Sequence, residues 1–238
     1  VEGCAYAQHV ASPFPEVQPK NDDELIRPAR DGALRVLKAA RAAGVERVVM
    51  TSSMAAIGYG WGDQRPAKFD ESHWSNADNI SDNTAYTRSK TIAERAAWDY
   101  IDAEGKGLEL AVINPVAVLG PAMSEDVSSS LQLISQPLEG KLPAYPKLSF
   151  GIVDVRDVAE AHLRAMTSAE AAGKRFIVGD RVMWMEEVGA VLREAYPDRK
   201  IPKGVLPNWL VRLLSFANPP LKQILPELGQ ERDFSNDR

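Results

Sequence analysis

The chain has 238 residues, 45% of them hydrophobic and 26% charged, and carries a net charge of −5 at pH 7; it is long enough to bury one large core or two small ones. Its acidic balance offers no footprint for nucleic acid or an anionic membrane surface, and no apolar run approaches the ~20 residues of a membrane span. The single cysteine, Cys4, permits no internal disulfide and fits a reducing, cytoplasmic compartment, while His9, His73 and His162 lack metal-ligand spacing.

Strand and helix signals alternate along the first half. Ala5 to Ala11 reads as a strand of small residues that ends at Ser12-Pro13-Phe14-Pro15. From Asp22 or Asp23 as N-cap, Ile26, Ala29, Ala33, Leu37 and Ala40 recur at helical spacing, and Gly44 closes that helix. The apolar run from Val45 to Met50 predicts a buried strand with Thr51-Ser52-Ser53 at its carboxyl end. A loop rich in Gly, Asp and Asn runs from Gly58 to Asn83, long enough to be functional. Tyr86, Lys90, Ala93, Ala97 and Ile101 then mark a helix ending near Gly105-Lys106-Gly107, and Leu108 to Asn114 is another buried strand, terminated by Pro115. This alternation predicts an α/β fold, a parallel sheet with helices on both faces.

After Gly120-Pro121 the texture changes. Ser128 to Leu138 reads as a short amphipathic helix, Leu148 to Val155 as a strand, and Val158 to Met166 as a helix with Asp157 as N-cap. Arg175 to Val178 is a short strand, followed by a helix from about Glu186 to Ala195 and a Pro-rich tail, Pro202 to Pro226. Within the tail, Trp209, Leu210, Val211, Leu213 and Leu214 leave a helix apolar on most sides, which reads as packing.

The candidate chemistry lies in Ser53, Tyr86 and Lys90. On a helix, the i, i+4 spacing of Tyr86 and Lys90 puts phenol and ammonium on one face, a turn apart. A phenol with a pKa near ~10 is a poor acid or base at neutral pH, and a neighbouring cation favours its phenolate. Lys90 is therefore expected to tune Tyr86. Ser53, at a strand's carboxyl end where open α/β sheets bind ligands, could hold a carbonyl or alcohol oxygen against the phenol while a hydride moves at the adjacent carbon.

Taken in order, Gly3-Cys4, His9-Val10-Ala11-Ser12-Pro13-Phe14, Thr51-Ser52-Ser53, Asp70-Glu71-Ser72 with Trp74-Ser75, Tyr86-x-x-Ser89-Lys90, Asn114-Pro115 with Gly120-Pro121, and Val153-Asp154-Val155-Arg156-Asp157-Val158-Ala159 form a series. The series resembles the extended short-chain dehydrogenase/reductases of the NAD-dependent epimerase/dehydratase superfamily, and within them the dihydroflavonol-reductase and aldehyde-reductase arm. The resemblance covers nearly the whole chain. It implies a Rossmann-type sheet domain over 1–121, with 152–180 partly returning to it, and a smaller substrate-binding lobe from 122–151 and 181–238. It further implies Ser53, Tyr86 and Lys90 as the catalytic triad, with Lys90 also holding the nicotinamide ribose. Ala11, Ser12 and Pro13 would line the adenosine half of the cofactor, Thr51 and Ser52 would join Tyr86 and Lys90 in binding it, and Asn114, Pro115 and Val116 would border the nicotinamide.

The reaction so implied is NADP- or NAD-dependent reduction of a small aldehyde or ketone, or the reverse oxidation, with NADP preferred. The alternatives are a nucleotide-sugar epimerase or dehydratase using the same triad, and an inactive truncated remnant. The sequence departs from the family in lacking Gly-x-Gly-x-x-Gly; Gly58-Tyr59-Gly60-Trp61-Gly62 has the wrong spacing and follows the serine loop. In the family the glycine turn that cradles the pyrophosphate lies upstream of the strand at which this chain starts. The expectation is a fragment lacking the first strands and a carboxyl-terminal helical piece, and with them the residues that choose between NAD and NADP. Its first strand would then be a sheet edge.

Overall fold

A computed structural model describes residues 1–13, 19–123 and 129–237. Phe14 and Pro15, expected to end the first strand, and Ser128, expected to open a helix, lie outside the described residues. The chain divides into two units, one of Val1–Val116, Arg156–Val178 and Phe234–Arg238, the other of Ala117–Val155 and Gly179–Asp233.

The first unit is built on β1 (Tyr6–His9), β2 (Arg47–Thr51), β3 (Glu109–Pro115) and β6 (Lys174–Val178), in the spatial order β1-β2-β3-β6. Every neighbouring pair is parallel, as the alternation predicts, and β1 is at one edge. Helices α1 (Asp23–Ala42) and α2 (Ala85–Glu104) cover one face and α4 (Val155–Thr167) the other. The pleat sorts the strand residues between them. Val48 and Met50 of β2 and Leu110 and Val112 of β3 meet Ala29, Ala33 and Leu37 of α1 and Ala93 and Ala97 of α2. Val49, Ala111 and Ile113 face Ala165 of α4 instead. Both faces are buried, which is why these strands read as unbroken apolar runs.

Three local expectations change. Asp22 does not cap α1 with its side chain; its backbone is already helical and its carboxylate is paired with Arg88 of α2, while Asn21 Oδ1 accepts from the Asp23 amide at 3.1 Å. Pro115 does not stop β3 short but is its last residue, in register with Val178, at a position where its missing N–H is tolerated. Asp157 lies inside the first turn of α4, which starts at Val155, so it meets the helix dipole there and caps nothing.

The second unit holds β4 (Ala117–Leu119), β5 (Ser149–Asp154) and β7 (Arg181–Trp184) in the order β4-β5-β7, with α3 (Gln132–Leu138), α5 (Met185–Ala195), α6 (Asn208–Leu214) and α7 (Pro219–Ile224). Tyr145, Leu148, Met185, Val188, Leu192, Ile201, Val211 and Leu228 form its core. The α6 stripe corrects the packing expectation, because only Val211 is buried, while Trp209 is 66% and Leu213 58% exposed.

The tightest contact in this core is at Gly189 of α5, where a Cβ would lie 2.3 Å from Tyr145 Oη. Tyr145 is fully buried. Gly189→Ala should gain up to ~1 kcal/mol of helix propensity but lose ~1–3 kcal/mol to overpacking. The expected net is a lower Tm by calorimetry, and an unchanged or raised Tm would show that Tyr145 yields freely.

Candidate active site

The carboxyl ends of β1, β2 and β3 bring together most of the residues that the sequence singles out. The mouth of α2 completes the set. Thr84 caps α2 through its hydroxyl, which accepts from the Thr87 amide at 3.3 Å, and Thr87 Oγ1 accepts from the Thr84 amide at 2.8 Å. This reciprocal cap fixes the first turn, and Tyr86 sits in it.

Ser53 follows β2 and opens a short 3₁₀ turn, its Oγ accepting from the Ala55 amide at 3.1 Å. The Ser53 hydroxyl comes near enough to the Tyr86 phenol to bias it toward the phenolate. Lys90 Nζ lies 5.8 Å from the centre of the Tyr86 ring, as the i, i+4 spacing predicts. The electrostatics differ from the sequence expectation. Burial pushes the Tyr86 phenol above its ordinary value, and the Ser53 hydroxyl only partly opposes this. Burial also brings the Lys90 ammonium down to about 8, against the attraction of Glu94. The phenol is therefore kept protonated by its surroundings instead of being made acidic by Lys90. His9, at the end of β1, is held below its ordinary range by burial and by the charge of Lys90.

The pleat also decides which strand residues reach this face. Asn114 continues the Leu110, Val112 series toward α2, where it is fully buried. Its Nδ2 donates to the Ser53 carbonyl at 3.1 Å and to Glu94 Oε2 at 2.8 Å. Ser52, which precedes Ser53 in the chain, is buried, and neither Ser52 Oγ nor Asn114 Oδ1 has a hydrogen-bond partner. Thr51 departs from the expected set. It continues the Val49 series toward α4, where its Oγ1 is 2.7 Å from His162 Nε2. His162 Nδ1 donates to the Val158 carbonyl at 2.7 Å, which leaves Nε2 to accept from Thr51. Ala11, Ser12 and Pro13 follow β1 at the same end of the sheet, Ala11 exposed and the other two half-buried. Pro115 is buried, and Val116 donates its amide to the Val178 carbonyl at 3.2 Å.

Sequence reasoning missed Glu94 and Arg175. Glu94 Oε1 accepts from Arg175 Nε at 2.5 Å, and both side chains are buried. The available signal was a carboxylate one turn beyond Lys90, beside Ala93 and Ala97 on the buried stripe of α2. Among the described residues no helix is long and apolar enough to cross a membrane, and no cluster of His, Cys, Asp or Glu could hold a metal ion.

A parallel sheet with helices on both faces and a Ser-Tyr-Lys cluster outside its carboxyl edge defines a Rossmann-type α/β protein. The chain belongs to the NAD dependent epimerase/dehydratase family, whose family model matches residues 4–179. It is 37% identical over 206 residues to cinnamoyl-CoA reductase CAD2 of Medicago truncatula, covering 85% of this chain and 62% of that one. It is 34% identical over 218 residues to the NADPH-dependent methylglyoxal reductase GRE2 of Saccharomyces cerevisiae, covering 84% and 62%. The crystal structure of yeast methylglyoxal/isovaleraldehyde reductase Gre2 complexed with NADPH superposes with a TM-score of 0.75 at 35% identity, over 84% of this chain and 64% of that one. The chain thus spans less than two thirds of the length of these relatives.

Proposed function

We propose that the protein is an NADPH-dependent carbonyl reductase that converts an aldehyde or ketone to the alcohol, or runs the reverse oxidation. The observation that carries this reading is the convergence of Ser53 and Tyr86, with Lys90 one turn further along α2. The relative named for the reduction of methylglyoxal supports the substrate class, and the one named for cinnamoyl-CoA, a thioester, supports carbonyl reduction more broadly. The residues present fit a nicotinamide cofactor. Ser52 Oγ and Asn114 Oδ1 are unpaired polar atoms at the ends of β2 and β3, and Lys90 is an ammonium starved of solvent that ribose hydroxyls would solvate.

On this reading Lys90 and Tyr86 hold the nicotinamide ribose, Asn114, Pro115 and Val116 border the ring, and Ala11, Ser12 and Pro13 run beside the adenosine half. The bound cofactor supplies the hydride. Ser53 then holds the substrate oxygen, and Tyr86, kept protonated by burial, delivers the proton to that oxygen as the neighbouring carbon is reduced. The Lys90 charge stabilises the phenolate left behind.

Stoichiometry provides the test. A reductase consumes NADPH mole for mole with its carbonyl substrate, whereas an epimerase returns its cofactor in every cycle. Net loss of nicotinamide absorbance is expected with hydrophobic aldehydes or ketones. Turnover of a UDP- or dTDP-sugar with no absorbance change, and none with carbonyl compounds, would replace this reading by the epimerase one.

A further inference from the structure

A buried ion pair of the sheet domain lies behind Ser53 and Lys90. Glu94 is fully buried on α2, one turn beyond Lys90, and Arg175 reaches it from β6 with 6% of its surface exposed. Arg175 is held on every side: it donates to the carbonyls of Glu71 at 2.9 Å and His73 at 2.7 Å, and its guanidinium lies 3.7 Å from the centre of the Trp74 ring. Glu94 Oε1 takes the Arg175 bond and Oε2 takes the Asn114 amide, whose second hydrogen goes to the Ser53 carbonyl. A buried ion pair is weak evidence for stability, since apolar residues of similar volume often serve as well or better. Here the carboxylate links an immobile cation to the backbone of the residue that would grip the substrate oxygen.

We propose that Glu94 is a positioning residue for the carbonyl reduction, fixing Ser53 through Asn114 and facing Lys90 with a negative charge that Arg175 anchors. This rests on the Ser53-Tyr86-Lys90 reading. The titratable groups that face Lys90 are His9 from β1 and Tyr86 and Glu94 from α2. His9 is disfavoured as a cation by that proximity and Tyr86 is kept as a phenol. Glu94 is therefore the group whose charge supports the ammonium, against the burial that brings it down to about 8.

The test is Glu94→Gln in the full chain, read in two ways. In protein labelled with ¹³C-lysine, with the Lys90 signal assigned by its loss in Lys90→Met, the Lys90 titration midpoint should fall by about one pH unit. In turnover, kcat should fall about tenfold or more as Ser53 loses its anchor, with KM for NADPH little changed, and the alkaline limb of kcat should move to lower pH with the Lys90 midpoint. Because Glu94→Gln strands the Arg175 charge, the double variant Glu94→Gln/Arg175→Met serves as the folded control. A purely structural role predicts that the double variant, once stable, regains wild-type kcat and Lys90 titration, and that result would overturn the proposal. An unchanged Lys90 midpoint in folded Glu94→Gln would overturn it too, whatever the activity. If the midpoint falls but the wild-type protein consumes no NADPH with any carbonyl compound, it is the reductase reading that fails, and the electrostatic role of Glu94 holds.

Discussion

Tyr86→Phe is expected to lower kcat by at least ~100-fold, the low end of what a positioned general acid contributes, while weakening NADPH binding far less, since Lys90 keeps its hold on the ribose. The substitution removes one oxygen and keeps the ring, so the first turn of α2 and its cap at Thr84 and Thr87 are untouched. What is lost is the proton donor, a single hydroxyl whose net contribution to stability is only ~1 kcal/mol. A large fall in kcat with a nearly unchanged Tm therefore isolates the chemistry from the fold. The raised pKa of the phenol has a second consequence. Tyr86 stays protonated across the ordinary working range, so any alkaline loss of reductase activity near pH 8 must come from Lys90, which titrates there. A variant that keeps near-wild-type kcat would remove Tyr86 from the mechanism.

Much of the sheet domain is legible in the sequence, because its signals are local. The predominantly apolar runs at Val45 to Met50 and Leu108 to Asn114 read as strands buried on both faces, and β2 and β3 are such strands. The spacing of Tyr86 and Lys90 is enough to put them on one face of α2. The direction of the Thr51 side chain was also legible: strand parity sets it with Val49, on the α4 side beside His162, and turns it away from Ser52. The electrostatics of Tyr86 were out of reach for a different reason. Sequence shows the neighbouring cation but not the depth of burial, and burial is the larger influence. The link between Glu94 and Arg175 joins residues 81 positions apart, and no local pattern announces such a pair. The exposed Trp209 and Leu213 of α6 show the converse limit, since apolar composition marks what a helix could bury and not what covers it.

Lys90→Met is expected to abolish most of the activity and yet stabilise the fold. Burial lowers the ammonium from its ordinary 10.5 to about 8, and the side chain is only 7% exposed. At ~1.4 kcal/mol per pH unit, the charged form therefore costs the folded state about 3 kcal/mol. The folded value lies below the unfolded one, so between about 8 and 10.5 the unfolded chain binds the proton more strongly and stability rises with pH across that window. Below about 8 the whole penalty is present. Methionine keeps the apolar stem and discards the charge, and Glu94 retains its partner in Arg175. At pH 7 the variant should melt higher, by roughly 2–4 °C for each kcal/mol recovered in a chain of this size, while kcat/KM falls by ~100-fold or more as the phenolate and ribose lose their cation. The stability gain should shrink as the pH rises toward 10.5 and vanish above it, where the wild-type lysine is neutral in both states. An equal or lower Tm at pH 7, or a difference that does not change with pH, would show that the Lys90 charge is solvated in the folded protein. A gain that follows the predicted pH course would mark the place where this fold gives up stability to hold a cation beside Tyr86.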